Sequence, residues 1–369
     1  MSVLLSTLLA KETPRCTSSA VMKKMEQEFS RFFDGSSLID DGAVIGIEVE
    51  VEKVKNNDVQ QYPVWRQCED NSLRNTGFEY VSVPMKGRTI VFALNWLSAK
   101  LNDDCQFSPR TSVHIHLNAL DMTLEQIGLI GLVTAAFERP IFRFIGGDRA
   151  RNNFCVPIQE AKAYWMFEAF FKESFDFPIG EHNRYLALNL DALRKFGTLE
   201  FRHMGGTKDV TRILHWINII LSLKKYVMVT PRKTILDIIY DLNTSSKYDV
   251  WFQEVFGENT VLQKGRLQQE MSGAISNLKR VVVDNKWKEE LQKTASTKDF
   301  FMMYLRKPKT LTPTYTREFP IQTLPIRVRE GRARIAPQGL RFADDVQPTG
   351  DWNVRIDLAA QVLQQEDDD

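Results

Sequence analysis

Cysteine is scarce in this chain and follows no pattern. Its 369 residues include four, Cys16, Cys68, Cys105 and Cys155, and none stands in CxxC spacing. That argues against a zinc ribbon and against a thioredoxin-like redox pair. A reducing compartment is the simpler expectation. An excess of one charge is lacking too: 48 Lys and Arg against 47 Asp and Glu give a formal net charge of +1, so overall charge points to no particular partner. Long apolar runs are missing. The stretch Val3 to Leu9 is far too short to span a bilayer and no basic region precedes it, so neither a signal peptide nor a transmembrane helix is expected. No internal repeat is visible. What remains, 43% hydrophobic and 26% charged residues, suits a cytoplasmic enzyme with a large buried core.

Against this plain background one segment stands out. Ile45-Gly46-Ile47-Glu48-Val49-Glu50-Val51-Glu52 alternates apolar and acidic side chains, the pattern of a β-strand with one face buried and a row of carboxylates on the other. By itself such a row also fits an ordinary solvated strand. Two further segments repeat the rule with different chemistry. In Ser112-Val113-His114-Ile115-His116-Leu117-Asn118 the histidines share one face; in Gly197-Thr198-Leu199-Glu200-Phe201-Arg202 a glutamate and an arginine do. Three strands thus offer Glu-x-Glu, His-x-His and Glu-x-Arg opposite apolar faces. As neighbours they would build a cation site with an arginine beside it.

Glu69-Asp70-Asn71-Ser72-Leu73-Arg74-Asn75-Thr76-Gly77-Phe78-Glu79-Tyr80 adds a carboxylate pair, a turn and a strand that presents Glu79. Converging carboxylates repel one another unless a cation compensates them, which points to magnesium or manganese. Asp70 alone reads equally as a turn-capping aspartate. Glu52 is expected to be an exposed strand end.

The order of these motifs, Gly46-x-Glu48-x-Glu50, Asp70-x-Ser72-Leu73 leading to Gly77-x-Glu79-x-Val81-Ser82, His114-x-His116, Arg184-Tyr185 with Asn189, and Gly197-Thr198-x-Glu200-Phe201-Arg202, resembles the amidoligase family. These are carboxylate–amine ligases of the glutamine synthetase and γ-glutamylcysteine synthetase superfamily. The resemblance covers roughly residues 42–228. It implies an α+β fold with a curved antiparallel sheet, helices packed on its outer face, and ATP with two or three divalent cations (Mg2+ or Mn2+) on its concave face. A carboxylate would be phosphorylated and an amine would displace the phosphate. The resemblance makes Glu48, Glu50, Asp70, Glu79, His114 and Glu200 metal ligands. It makes His116 a contact to ATP or metal, and Arg202 and Arg184 the clamp on the moving phosphoryl group. Arg149-Ala150-Arg151-Asn152-Asn153-Phe154-Cys155 resembles the family's Arg-x-x-Asn-aromatic-Cys stretch, and Arg149, Arg151 and Asn152 could hold a substrate carboxylate through charge-assisted hydrogen bonds.

Other readings of the same residues stay open. A two-metal phosphoesterase or nuclease also gathers carboxylates and histidines, and a binding protein could retain the fold without the chemistry. Cys155, between Phe154 and Val156, invites a nucleophile reading with His182 or His203 as base, although such a cysteine is more often a buried hydrophobe. The substrates would be a carboxylate and an amine borne by a small molecule, a peptide or a modified base. Oligomeric state is open.

The organisation expected is an arm and amphipathic helix over 1–40, a catalytic domain over 41–305 and an extension over 306–369. Residues 21–33 read as a helix, residues 42–110 as strand-like text, and Thr123 with Gln126 as a capping box opening a helix to about Phe137. Helices are expected again over 210–228 and within 233–305. The extension holds six of the fourteen prolines, a hairpin-like stretch over 326–335 and an acidic end that suits disorder. Its residues 306–341 contain nine Lys or Arg against Glu318 and Glu330, so it could meet an anionic partner such as nucleic acid. A solvated strap on the catalytic domain is the preferred reading.

Overall fold

The computed structural model describes residues 4–12, 23, 27, 38–54, 64–74, 77–101, 104–161, 170, 185–257, 261–262 and 265–284. The expected tail over 306–369 lies outside them, as does the expected helix over 21–33 apart from Lys23 and Gln27.

Six strands form one open antiparallel sheet in the order β2-β3-β1-β4-β6-β5. They are β1 (Ile45–Val51), β2 (Trp65–Glu69), β3 (Phe78–Ser82), β4 (Ser112–Asn118), β5 (Leu188–Asn189) and β6 (Thr198–Gly205). Eight α-helices accompany them among the described residues: α1 (Leu5–Leu9), α2 (Arg88–Lys100), α3 (Leu124–Ile145), α4 (Asp191–Phe196), α5 (Val210–Val229), α6 (Arg232–Asp241), α7 (Ser245–Phe256) and α8 (Leu267–Asp284). The architecture is mixed α/β. None of these helices is long and apolar enough to cross a membrane.

Strand alternation decides which face meets the helices. Ile45, Ile47, Val49, Tyr80, Val113, Ile115, Leu117, Leu199 and Phe201 are all buried in one apolar cluster. Helices α3 and α5 pack on β6 and β4, and Phe201 meets Trp216 of α5 edge to face with ring centroids 6.1 Å apart. A second layer closes over α3. Phe137 packs against Trp251, Phe252 and Phe256 of α7 at centroid distances of 4.8, 6.1 and 5.0 Å. Truncating Phe137 to alanine would therefore cost about 3–5 kcal/mol.

Local signals set the helix boundaries. The Thr123 side chain accepts from Gln126 N, and the Gln126 side chain accepts from Thr123 N, a complete capping box at the start of α3. That helix runs past the expected end at Phe137 and through Pro140 to Ile145, because Ile141, Phe142 and Ile145 are buried and tertiary packing outweighs the helix-breaking residue. Asp209 caps α5 by accepting from Arg212 N.

One expectation fails within residues 42–110, where α2 occupies Arg88–Lys100 instead of a strand. A compact apolar run such as Ile90–Leu94 is ambiguous between the two periods, and only its length and its burial against α5 settle it. Helix α4 and the short β5 carry no strong sequence signal. The N-terminal arm is tied to the body: Leu5 is fully buried and its N–H donates to Met122 O at 2.9 Å.

Candidate functional site

The sheet order places the three patterned strands side by side, with the histidine strand β4 between β1 and β6. Register then sets the neighbours. Glu48 faces His114 and Gly46 faces His116 across β1 and β4. Glu50 faces Glu79 across β1 and β3, His116 faces Glu200, and Asn189 of β5 faces Glu200 on the far side. An irregularity in the β4–β6 ladder completes the arrangement. Val113 pairs with Met204 but Ile115 with Phe201, so Arg202 and His203 together stand opposite His114. A bulge of this kind re-aims side chains locally; it puts Arg202 beside Glu200 while His203 turns toward the helices.

Glu48 is the hub. Its Oε1 lies 3.0 Å from His116 Nε2 and its Oε2 lies 3.0 Å from His114 Nδ1. His114 Nδ1 also lies 3.5 Å from Glu200 Oε1, and its Nε2 lies 3.8 Å from Glu50 Oε1. Arg202 Nη1 donates to Glu200 Oε1 at 2.5 Å, and Asn189 Nδ2 donates to Glu200 Oε2 at 2.7 Å. The face is polar yet largely closed: His114, Glu50, Glu200 and His116 all keep less than a tenth of their surface exposed.

Burial and mutual charge shape the protonation states. Burial drives the Glu48 carboxyl up, but His116 and His114 overcome it and hold the group well below the usual range. Glu200 is also lowered, since Arg202 and the two histidines outweigh burial and the repulsion of Glu48. His116 is raised: burial disfavours the imidazolium, and Glu48 and Glu200 restore it. Arg202 is held charged by Glu200, Glu50 and Glu48 against burial. Glu79 goes the other way. Burial, then Glu48, Glu50 and Asp70, push its carboxyl up to about 9, so the cluster keeps one carboxylic acid neutral rather than accept a further negative charge.

Two groups of ligand-type atoms result, Glu48 with His116 and Glu200, and Glu48 with Glu79 and His114. Within each, one atom from every residue lies within 4.8 Å of the others. Carboxylate oxygens with an imidazole nitrogen could hold a divalent cation, and Glu48 belongs to both groups. Among the described residues buried Arg202 Nε has no hydrogen-bond partner, a donor that suits an anionic oxygen.

Asp70 caps its own turn, accepting from Ser72 N at 2.8 Å and from Ser72 Oγ at 2.9 Å, while still acting electrostatically on Glu79. Arg149 is buried and donates to the carbonyls of Pro109 and Arg202, each at 3.3 Å; Asn152 Nδ2 donates to Pro109 O and its Oδ1 accepts from Phe154 N. Arg151 is half-buried at the end of a 3-10 turn, Gly147–Arg151, that also carries Arg149. Arg184 and His182 lie outside the described residues. Glu52 is not an exposed strand end. It is buried and accepts from Arg74 N at 3.0 Å, because the chain beyond β2 folds back over it.

Cys155 is fully buried in a cluster with Phe142, Ala150 and Ala187, and burial pushes its thiol up to about 11. His203 is enclosed by the Phe142, Phe201 and Trp216 rings, and burial lowers it to about 3. Neither suits nucleophilic catalysis.

Ser112 and Thr198 escaped sequence reasoning. Ser112 Oγ donates to Glu50 Oε2 at 2.5 Å and lies 2.6 Å from His114 Nε2; Thr198 Oγ1 lies 2.9 Å from His116 Nδ1. They orient the histidine rings, a supporting role that metal-type histidines usually need. Both sit an even number of residues from a site histidine or glutamate on the same strand, which was the available signal.

Fold and site together define a mixed α/β protein whose antiparallel sheet gives one face to helices and the other to a carboxylate–histidine–arginine cluster. In comparisons with known proteins, no family model and no curated sequence matches the chain.

Proposed function

We propose that this chain is an ATP-dependent carboxylate–amine ligase of the glutamine synthetase-like kind, using Mg2+ or Mn2+. The observation that carries the reading is the position of Glu48 between two ligand groups, Glu48–His116–Glu200 and Glu48–Glu79–His114, with Arg202 on Glu200. Such a set suits two cations that share a carboxylate, beside a guanidinium whose buried Nε–H has no partner among the described residues. A nucleoside triphosphate and its cations are the natural complement of that mixture of charges.

In the reaction proposed, a substrate carboxylate oxygen attacks the γ-phosphorus of ATP, the bond to the β–γ bridging oxygen breaks, and ADP leaves. The amine nitrogen then attacks the acyl carbon, the carbon–oxygen bond to phosphate breaks, and the amine proton passes to solvent. The cations supply charge neutralisation to the triphosphate. Arg202 stabilises the equatorial oxygens of the moving phosphoryl group, with Arg184 as the second arginine of the clamp. Glu200 and Asn189 keep the Arg202 fork in place. Arg149 and Asn152 are engaged with backbone carbonyls, so in this reading Arg149 braces the Arg202 strand, Asn152 holds the Pro109 carbonyl, and Arg151 is the remaining candidate for the substrate carboxylate.

The test is an end-point assay for ADP with a pool of carboxylates and a pool of amines. ADP release should require both pools together with Mg2+ or Mn2+, and chelation should abolish it. Hydrolysis of phosphoesters without any amine requirement would favour the two-metal hydrolase instead. Absence of metal-dependent ATP binding would remove the reading.

A further inference from the structure

Phe196 is the last residue of α4 and immediately precedes the turn into β6, the strand that delivers Glu200 and Arg202. Phe196 is 58% exposed, the one aromatic residue among the large apolar groups exposed in the described residues. The ring also stands next to the site: its centroid lies 5.8 Å from that of His116 with the two planes at 85°. His116 in turn touches Glu48.

The position is held firmly from three sides. Gly197 adopts φ +71, and a Cβ there would come within 2.5 Å of the Leu120 side chain, so only glycine allows this turn. The Gly197 N–H closes the helix end on Leu193 O at 2.9 Å. From the N-terminal arm, Lys11 Nζ donates to the carbonyls of Arg194 and Lys195 at 2.8 and 2.7 Å, tying the last turn of α4 to α1. A mobile loop tip would explain an exposed phenylalanine without further meaning. This one stands on an anchored stretch of backbone, is exposed among the described residues, and adjoins groups suited to a polyphosphate.

We propose that Phe196 is the base-stacking residue of the nucleotide site, receiving the planar ring of the nucleotide whose triphosphate meets Arg202 and the Glu48 cations. The inference rests on the ATP-dependent reading above and deepens it by naming what fixes the base end of the nucleotide. An exposed aromatic ring is a sequence-tolerant platform for any nucleobase, while His116, with its plane at 85° to the same ring, links the base end to the metal end.

Calorimetric titration of the full chain in Mn2+ with ATP and, separately, with inorganic tripolyphosphate tests it. Phe196→Ala should weaken ATP binding by about tenfold or more and leave tripolyphosphate binding unchanged. Phe196→Trp should retain ATP affinity, and its indole fluorescence should respond to ATP and not to tripolyphosphate. Equal losses for both ligands in Phe196→Ala would mean that the ring merely supports His116; no loss for either would mean that it contacts nothing. Either result overturns the stacking role while wild-type ATP binding keeps the ligase reading. Failure of the wild-type protein to bind either ligand would overturn both.

Discussion

Glu48 and His116 are diagonal neighbours across the β1–β4 ladder, and the imidazole Nε2 reaches the carboxylate Oε1 at 3.0 Å. The residue directly opposite His116 is Gly46, which has no side chain to stand in the way. A Cβ at Gly46 would lie 3.3 Å from His116 Cβ, close enough to push the histidine side chain at its root. Gly46→Ala should therefore leave the fold intact, since a strand tolerates alanine, yet shift His116 off Glu48. Mn2+ affinity, measured by calorimetry, should fall about tenfold, as for loss of a ligand-orienting contact. Unchanged affinity would show that the diagonal contact does not matter for cation binding.

The carboxylates of the cluster should not respond alike to removal of charge. Glu79 is kept neutral by burial and by Glu48, Glu50 and Asp70, so Glu79→Gln should leave the stability of the metal-free protein near pH 7 unchanged or slightly raised. Glu200→Gln takes the counter-ion from buried Arg202 and should cost about 3 kcal/mol. Urea denaturation in the presence of a chelator compares the two. Both variants should lose Mn2+ binding. A large destabilisation by Glu79→Gln would mean that this side chain is ionised and paired after all.

Arginine at 202 should resist conservative replacement. The bond from Nη1 to Glu200 and the link from Arg149 to the Arg202 carbonyl position a planar group that lysine cannot reproduce. Arg202→Lys should lose most ATP-dependent turnover while metal binding persists. Cys155→Ala should retain turnover, because its buried thiol is held protonated. A covalent acyl adduct trapped on Cys155 during turnover would reverse that expectation.

Behind the sheet, Glu138 gives stability a pH signature. It is fully buried, accepts from Ile158 N at 2.7 Å and from Gln159 N at 3.2 Å, and burial raises its carboxyl to about 8. The folded state thus holds a proton that the unfolded chain releases near pH 4.5. Its contribution is fully present below the unfolded value and is lost as pH rises through about 8. Glu79 adds a slope of the same sign, so the readout is the difference between wild type and Glu138→Gln. That difference should shift in favour of the variant on going from pH 5 to pH 8, followed by urea denaturation. A difference that stays constant with pH would show that Glu138 is already ionised in the folded protein.

How far the sequence reached can be judged residue by residue. Period-two alternation in 45–52, 112–118 and 197–202 was enough to assign three strands and to separate their apolar from their polar faces, because burial of one sheet face constrains every second residue. The capping box at Thr123 and Gln126 marked the start of α3 for an equally local reason: the hydrogen bonds involved span three residues. Residue type alone proposed Glu48, His114, His116, Glu200 and Arg202 as one chemical set.

Only the tertiary structure decided how that set is joined. The order β3-β1-β4-β6 is a matter of long-range pairing, and it alone makes Glu48 the residue common to both ligand groups. The bulge opposite His114, which separates Arg202 from His203, depends on the partner strand and leaves no mark in local composition. Glu52 was covered by the chain after β2, since a hydrogen-bond partner brought in by folding outcompetes the pattern along a strand, whereas Asp70 caps its own turn through Ser72, two residues on, as its local sequence allowed. The helical run 88–100 shows the same limit. A continuous apolar stretch satisfies either period, and the surface it packs on makes the choice.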